Sequence, residues 1–277
     1  MRTFSQVDVF TDEFMKGNAL AVVHDAEGLT TEQMAAFANW TNLAETTFLL
    51  PAEDPAADYR VRIFTISREL PFAGHPTLGS AHAWLEAGNT PRDPARLVQE
   101  CGAGLVDVRR DGSRLAFAAP PLLRGGPVDD HSSLAEALAI TPAEIAGAQW
   151  ADNGPGWVAV LLHSAEAVLA LRPDYQRFGE FRGIGVVGPH REGGDAAFEV
   201  RAFINEGSRF EEDPVTGSLN ASIAQWLIPA GIAQRSYVAA QGTALGRRGR
   251  VHLSQDDDGG IWVGGNSVSG ITGRVML

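Results

Sequence analysis

The chain has 277 residues, and its 34 acidic against 22 basic side chains give a formal charge of -12. A surface of that sign repels phosphate backbones and anionic lipid, which excludes nucleic acid and membrane surfaces as natural partners. The length suits a sizeable core and about two domains. The opening MRTFSQVDVF has no apolar leader stretch and no run of about 18 apolar residues follows, so a cytoplasmic protein is expected. Cys101 is the only cysteine, which leaves no intrachain disulfide, no thiolate zinc site and no two-thiol catalytic pair.

In chain order, Thr30 and Gln33 form a capping box ahead of Met34, Phe37 and Ala38, which predicts a helix. Glu45 follows, directly before Thr46, Thr47 and Phe48, at the mouth of a β-branched and apolar strand. A carboxylate there can be partly desolvated, which raises its pKa toward the range of a general base. The plainer reading is a solvated glutamate opening a strand. Tyr59, Val61 and Ile63 alternate with Arg60 and Arg62, and Val106 and Val108 are answered across Asp111-Gly112 by Leu115 and Phe117, a strand and a hairpin. The stretch Pro120 to Asp130 (PPLLRGGPVDD) breaks the pattern and reads as a linker. We therefore divide the chain into halves 1–122 and 123–277, the last strand being one segment that could return to the first half. Thr141-Pro142-Ala143-Glu144 is a second capping box and predicts another helix, and Trp157 to Leu162 (WVAVLL) reads as a buried strand. An α+β fold of mainly antiparallel strands follows, with no βαβ alternation and no GxGxxG loop for a dinucleotide.

An internal repeat carries more information. Residues 60–75 read RVRIFTISRELPFAGH and residues 199–218 read EVRAFINEGSRFEEDPVTGS. Each has a VRxF strand, a polar loop with acidic residues and a PxxG turn, with four more residues in the second copy. Apolar residues at helical spacing follow both turns: Leu78, Ala81 and Leu85 in one, Leu219, Ile223, Trp226 and Leu227 in the other. So little charge on any face predicts buried helices wrapped by strands. Pro76 suits the first helical position, making His75 the expected N-cap, and Ser218 is the expected N-cap of the second helix. Orphan backbone N–H groups near Gly74-His75 and Gly217-Ser218, with Thr216 in the same turn, would then bind a carboxylate or a developing oxyanion. Taken singly, His75 and Ser218 can be simple caps and Asp213 a turn starter before Pro214. Ser218 lacks the second glycine of a GxSxG elbow, and the histidines fall in no HExxH spacing, so neither a serine hydrolase nor a metal site is expected.

Five segments, GNALAVV (Gly17 to Val23), NLAETTF (Asn42 to Phe48), ELPFAGHPTLGSA (Glu69 to Ala81), EDPVTGSLNA (Glu212 to Ala221) and QGTALGRRGRV (Gln241 to Val251), span most of the chain. Together they resemble the PhzF-like family of phenazine biosynthesis, whose members have the diaminopimelate epimerase fold. The resemblance implies two pseudo-symmetric halves, each a barrel-like strand layer around a central helix, with the active site between them and a homodimer as the assembly. It implies a cofactor-independent isomerase, with Glu45 as acid/base and His75, Asp213 and Ser218 as further catalytic residues, acting on a small carboxylate with no metal. The chain departs from the family pattern at Ile66-Ser67 and at Arg248-Gly249. Two other readings stand beside this one. A two-base racemase of the same fold usually places a cysteine in each half, where this chain has His75 and Ser218; a non-catalytic anion-binding protein would keep the helix ends without turnover.

Overall fold

Alternation along Tyr59 to Phe64 is realised as a strand with Tyr59, Val61 and Ile63 buried and Arg60 and Arg62 half-buried between them. The computed structural model describes residues 1–205 and 210–277, so positions 206–209 in the polar loop of the second repeat copy lie outside the described residues. The chain folds as two compact units, residues 1–118 with 264–277, and residues 119–263.

The first unit runs β1 (Arg2–Val9), β2 (Asn18–Val23), α1 (Thr31–Thr41), β3 (Glu45–Leu50), β4 (Tyr59–Phe64), β5 (Glu69–Leu70), α2 (Gly74–Glu86), β6 (Arg96–Cys101), β7 (Gly104–Asp111) and β8 (Arg114–Ala118). The Thr30/Gln33 box opens α1, and Asn42 ends it in the left-handed conformation that asparagine tolerates at a helix end. The chain is thereby turned into β3 at Glu45. Pairing is antiparallel for β1–β2, parallel for β2–β3, antiparallel for β3–β4 and β4–β5, parallel for β4–β6, and antiparallel for β6–β7. The Asp111-Gly112 hairpin joins β7 to β8 as its pattern predicts. The chain's last strand, Ser267–Val275, pairs antiparallel with β1.

In the second unit β9 (Arg124–Pro127) and α3 (Ser132–Leu138) lead to β10 (Ile145–Asp152), β11 (Trp157–Leu162), α4 (Ala165–Ala170), β12 (Gly183–Pro189), β13 (Phe198–Asn205), β14 (Phe210–Asp213), α5 (Gly217–Leu227), β15 (Ser236–Gln241) and β16 (Gly249–Gln255). Pairing is antiparallel for β10–β11, parallel for β11–β12, antiparallel for β12–β13 and β13–β14, parallel for β13–β15, and antiparallel for β15–β16. The order of pairings is that of the first unit, with a helix again within each parallel connection. The expected absence of βαβ alternation is therefore corrected: both units contain parallel strands joined through helices, which the short strand patterns concealed. Two local expectations also change. The Thr141/Glu144 box forms, but it caps a single 3₁₀ turn, because Ile145 and Ala148 commit the next residues to β10. Part of the presumed linker is β9, paired with β10 through Arg124 to Pro127.

The central helices are buried as their composition requires. α2 packs on β1, β2, β3, β6 and β8, and α5 on β10, β11 and β16. Close approach is secured by glycine: a Cβ on Gly79 of α2 would lie 2.5 Å from Leu20, and one on Gly185 of β12 would lie 2.2 Å from Leu219 of α5. Phe48 and Phe64 meet edge to face at 5.6 Å beside Met34 and Ala38 of α1, and each such buried ring contributes about 1.5–3 kcal/mol.

Candidate functional site

In the first unit, Glu45 and His75 come together. Glu45 opens β3, paired in parallel with Leu20 of β2, and His75 is the second residue of α2. His75 Nε2 lies 3.4 Å from Glu45 Oε2, with the imidazole buried and the carboxyl half-buried. The helix starts two residues earlier than expected. Ala73 is its N-cap, in an extended conformation, and its carbonyl takes the Thr77 N–H at 3.1 Å. Pro76 is tolerated at the third helical position because that N–H is also an orphan. His75 is therefore not a cap. Ala73, the N-cap, has no polar side chain to cap the first turn of α2.

Burial pushes the His75 pKa down to about 3, so the ring is neutral at neutral pH and its contact with Glu45 is not an ion pair. On the other side of the ring, Asn18 Nδ2 lies 3.4 Å from Nδ1. With that amide donating to Nδ1, the neutral ring carries its proton on Nε2, the nitrogen facing Glu45. Asn18 itself is placed by Gly17, whose N–H donates to Asp8 Oδ2 at 3.1 Å and whose missing Cβ would sit 2.2 Å from the Val9 carbonyl oxygen. Buried Gln99 braces the same helix end, donating to Thr77 Oγ1 at 3.0 Å and accepting from the Tyr59 hydroxyl at 3.0 Å.

The second unit brings Asp213, at the end of β14, together with Thr216, the N-cap of α5. Thr216 Oγ1 donates to Asp213 Oδ2 at 2.5 Å, the length of a hydroxyl–carboxylate bond. Ser218 is the second residue of α5, the place His75 has in α2, and is not the expected cap either. Its Oγ accepts from the Trp157 indole N–H at 3.0 Å, and its carbonyl accepts from Asn153 Nδ2 at 2.9 Å. Because an indole can only donate, the Ser218 proton is left to be donated in turn. The Thr216 side chain likewise does not cap the first turn of α5. Gln241 of β15 is the counterpart of Gln99, fully buried and bonded to Thr216, Asn220 and the Asp213 carbonyl.

Gly74 and Gly217 are each the first residue of a central helix, so their N–H groups are orphans by position. Sequence reasoning missed Asn18, Trp157 and Gln241. Asn18 and Gln241 lay within segments that carried the resemblance, and a polar residue at the end of an apolar strand was the available signal; Trp157 read only as core. Among the described residues, no group of three or more His, Cys, Asp or Glu is placed to hold a metal ion.

A family model described as phenazine biosynthesis-like protein, PhzC-PhzF, matches residues 7–273. Antisense-enhancing sequence 1 of Schizosaccharomyces pombe is 33% identical over 99% of this chain and 99% of its own. The trans-2,3-dihydro-3-hydroxyanthranilate isomerase of Pseudomonas aeruginosa is 33% identical, with both chains covered in full. In fold, the chain is similar to a PhzF-family protein of Enterococcus faecalis, with a TM-score of 0.83 at 24% identity over 100% of this chain and 99% of that one.

Proposed function

The chain belongs to the phenazine biosynthesis-like family, and on that premise we propose that it is a cofactor-independent isomerase moving a proton between carbons of a small carboxylate, with Glu45 as the acid/base. The observation that carries this reading is the neutral, buried His75 at 3.4 Å from Glu45. A carboxylate that takes a proton from carbon must hold it and return it, and an uncharged ring beside it sets no fixed counter-charge that would favour the ionised form. The proton leaves one carbon for Glu45, the electron pair it leaves spreads into the conjugated substrate, and the proton returns to a second carbon, so no oxidant or reductant is needed.

His75, Asp213 and Ser218 serve the same reaction as polar partners of the substrate, Ser218 by donating its proton to a substrate oxygen. The amides of Gly74 and Gly217, with their helix dipoles, favour the carboxylate and the charge that develops during transfer. Thr216 serves through Asp213, to which its hydroxyl donates. The matching order of strand pairings and the equal places of His75 and Ser218 support pseudo-symmetric halves around α2 and α5. A homodimer in the cytoplasm completes the proposal.

The test is solvent exchange. In D₂O the wild-type protein is expected to place deuterium in trans-2,3-dihydro-3-hydroxyanthranilate or its product, the substrate named for the P. aeruginosa relative. Glu45→Gln keeps size and hydrogen bonding but not the base, and is expected to lower exchange by about 10² to 10⁴-fold. Exchange by Glu45→Gln at the wild-type rate would move the base to another residue.

A further inference from the structure

Buried Gln241 is bonded through both ends of its amide, and the directions of those bonds are forced. The Thr216 backbone N–H can only donate, so the atom 3.0 Å from it is Gln241 Oε1, which also accepts from Asn220 Nδ2 at 2.8 Å. The other end is then Nε2, which donates to the Asp213 carbonyl at 3.1 Å and to Thr216 Oγ1 at 2.9 Å. A threonine hydroxyl has one proton. With Gln241 donating into Oγ1, that proton goes to Asp213 Oδ2, 2.5 Å away.

We infer that Gln241 and Thr216 are positioning residues, which fix Asp213 with its Oδ2 accepting the Thr216 hydroxyl proton. This rests on the proposed role of Asp213 and adds to it two residues and a direction. The Thr216 hydroxyl proton and N–H are then committed to Asp213 and Gln241 and are not donated to substrate.

The surroundings allow the effect to be isolated. Across β13, Asp213 faces Ala202. On those strands Glu212 and Arg201 are bonded to each other at 2.8 and 2.9 Å, and Glu211 stands two positions before Asp213 on β14. α5 and β15 carry no charged residue. The turn after β15 brings the Arg247 stem against Gly242, beside the Pro214 carbonyl. Neutral substitutions at 216 and 241 leave all of these charges in place.

The experiment titrates the side-chain carboxyl of Asp213 by ¹³C NMR in aspartate-labelled full-length protein without substrate, with Asp213→Asn identifying the signal. Thr216→Ser is expected to titrate as wild type. Thr216→Val, which keeps shape but not the hydroxyl, is expected to raise the midpoint by about one pH unit or more, since a hydrogen bond to the charged form is lost. Gln241→Leu frees the Thr216 hydroxyl to rotate and is expected to raise it by less. A midpoint unchanged in Thr216→Val, or in Gln241→Leu, overturns the inference; Thr216→Ala replaces the valine variant should that one not fold. Because turnover is not read, failure of the Glu45 assignment and failure of this arrangement are distinguishable.

Discussion

The repeat in the sequence becomes the same construction in both units, yet the two copies differ in burial. Arg62 of β4 grips Glu69 of β5 through Nε and Nη2 at 2.7 and 2.6 Å, and Arg201 of β13 grips Glu212 of β14 through the same atoms at 2.9 and 2.8 Å. Each arginine also lies over the phenylalanine two positions on, at 5.1 Å from Phe64 and 4.8 Å from Phe203. In the first unit the pair is 25% and 39% exposed; in the second it is 6% and 10% exposed. The third contact explains the difference. Arg62 reaches the exposed Thr31 hydroxyl at the start of α1, whereas Arg201 Nη1 donates to the Val168 and Leu171 carbonyls at the end of α4, where a cation is favoured. The shared VRxF strand and the glutamate paired with it fix the fork, and the helix beyond it fixes what the fork is worth.

The largest effect expected from this contrast is at Arg201. Arg201→Met strands the buried Glu212 carboxylate and is expected to lower stability by about 3–5 kcal/mol in urea unfolding. Combining it with Glu212→Leu is expected to recover most of that loss, because apolar replacement of a whole buried pair is often neutral. A single variant costing under about 1 kcal/mol would show that burial does not separate the two forks. Since Glu212 adjoins Asp213, the single variant is also expected to slow exchange.

The first unit holds a different liability, the neutral His75. Its folded pKa of about 3 lies below the ordinary 6.5, so between those values the unfolded chain binds a proton that the folded one refuses. Stability from this group is complete above about pH 6.5 and falls by roughly 1.4 kcal/mol for each pH unit below it, until about pH 3. Wild type is expected to lose roughly 2–3 kcal/mol more than His75→Gln between pH 7 and 4.5, read from urea midpoints at each pH. Equal losses in the two proteins would mean that the ring is charged in the fold.

Much of this was legible in the sequence where one residue type has one physical solution. Thr30 with Gln33, Asp111-Gly112, and the charge-poor runs after Gly74 and Gly217 each predicted their element. The candidate residues Glu45 and His75 were legible through the resemblance, and their contact is a property of two strands and a helix that no local pattern encodes. The caps failed because Pro76 satisfies three positions of a first turn equally well, and because Thr216 spends its hydroxyl on Asp213 instead of on its own helix. The parallel pairings failed because alternation reports which face is buried and not which strand lies alongside. Gln241 and Trp157 were invisible for a related reason: a buried polar group is recognised by its partners, and those lie 21, 25 and 28 residues from Gln241 and 61 from Trp157.

The smallest effect is expected at Arg62, and it tests the other side of the contrast. An exposed ion pair gains little over solvation by water and is screened by salt, so Arg62→Ala is expected to cost only about 0.2–1 kcal/mol. The bidentate geometry and the cation over Phe64 argue for the upper part of that range. Salt separates these contributions: at about 1 M the Debye length falls to about 3 Å, which removes most of the charge attraction and leaves the packing of the arginine stem on the strand. The cost of Arg62→Ala is therefore expected to shrink with salt, while that of Arg201→Met, shielded from ions by its burial, is expected to stay. Urea melts of both variants at low and high salt read the difference directly. An Arg62 cost that holds at high salt would show that the first fork acts through packing, as a brace for the hairpin ahead of α2 and His75.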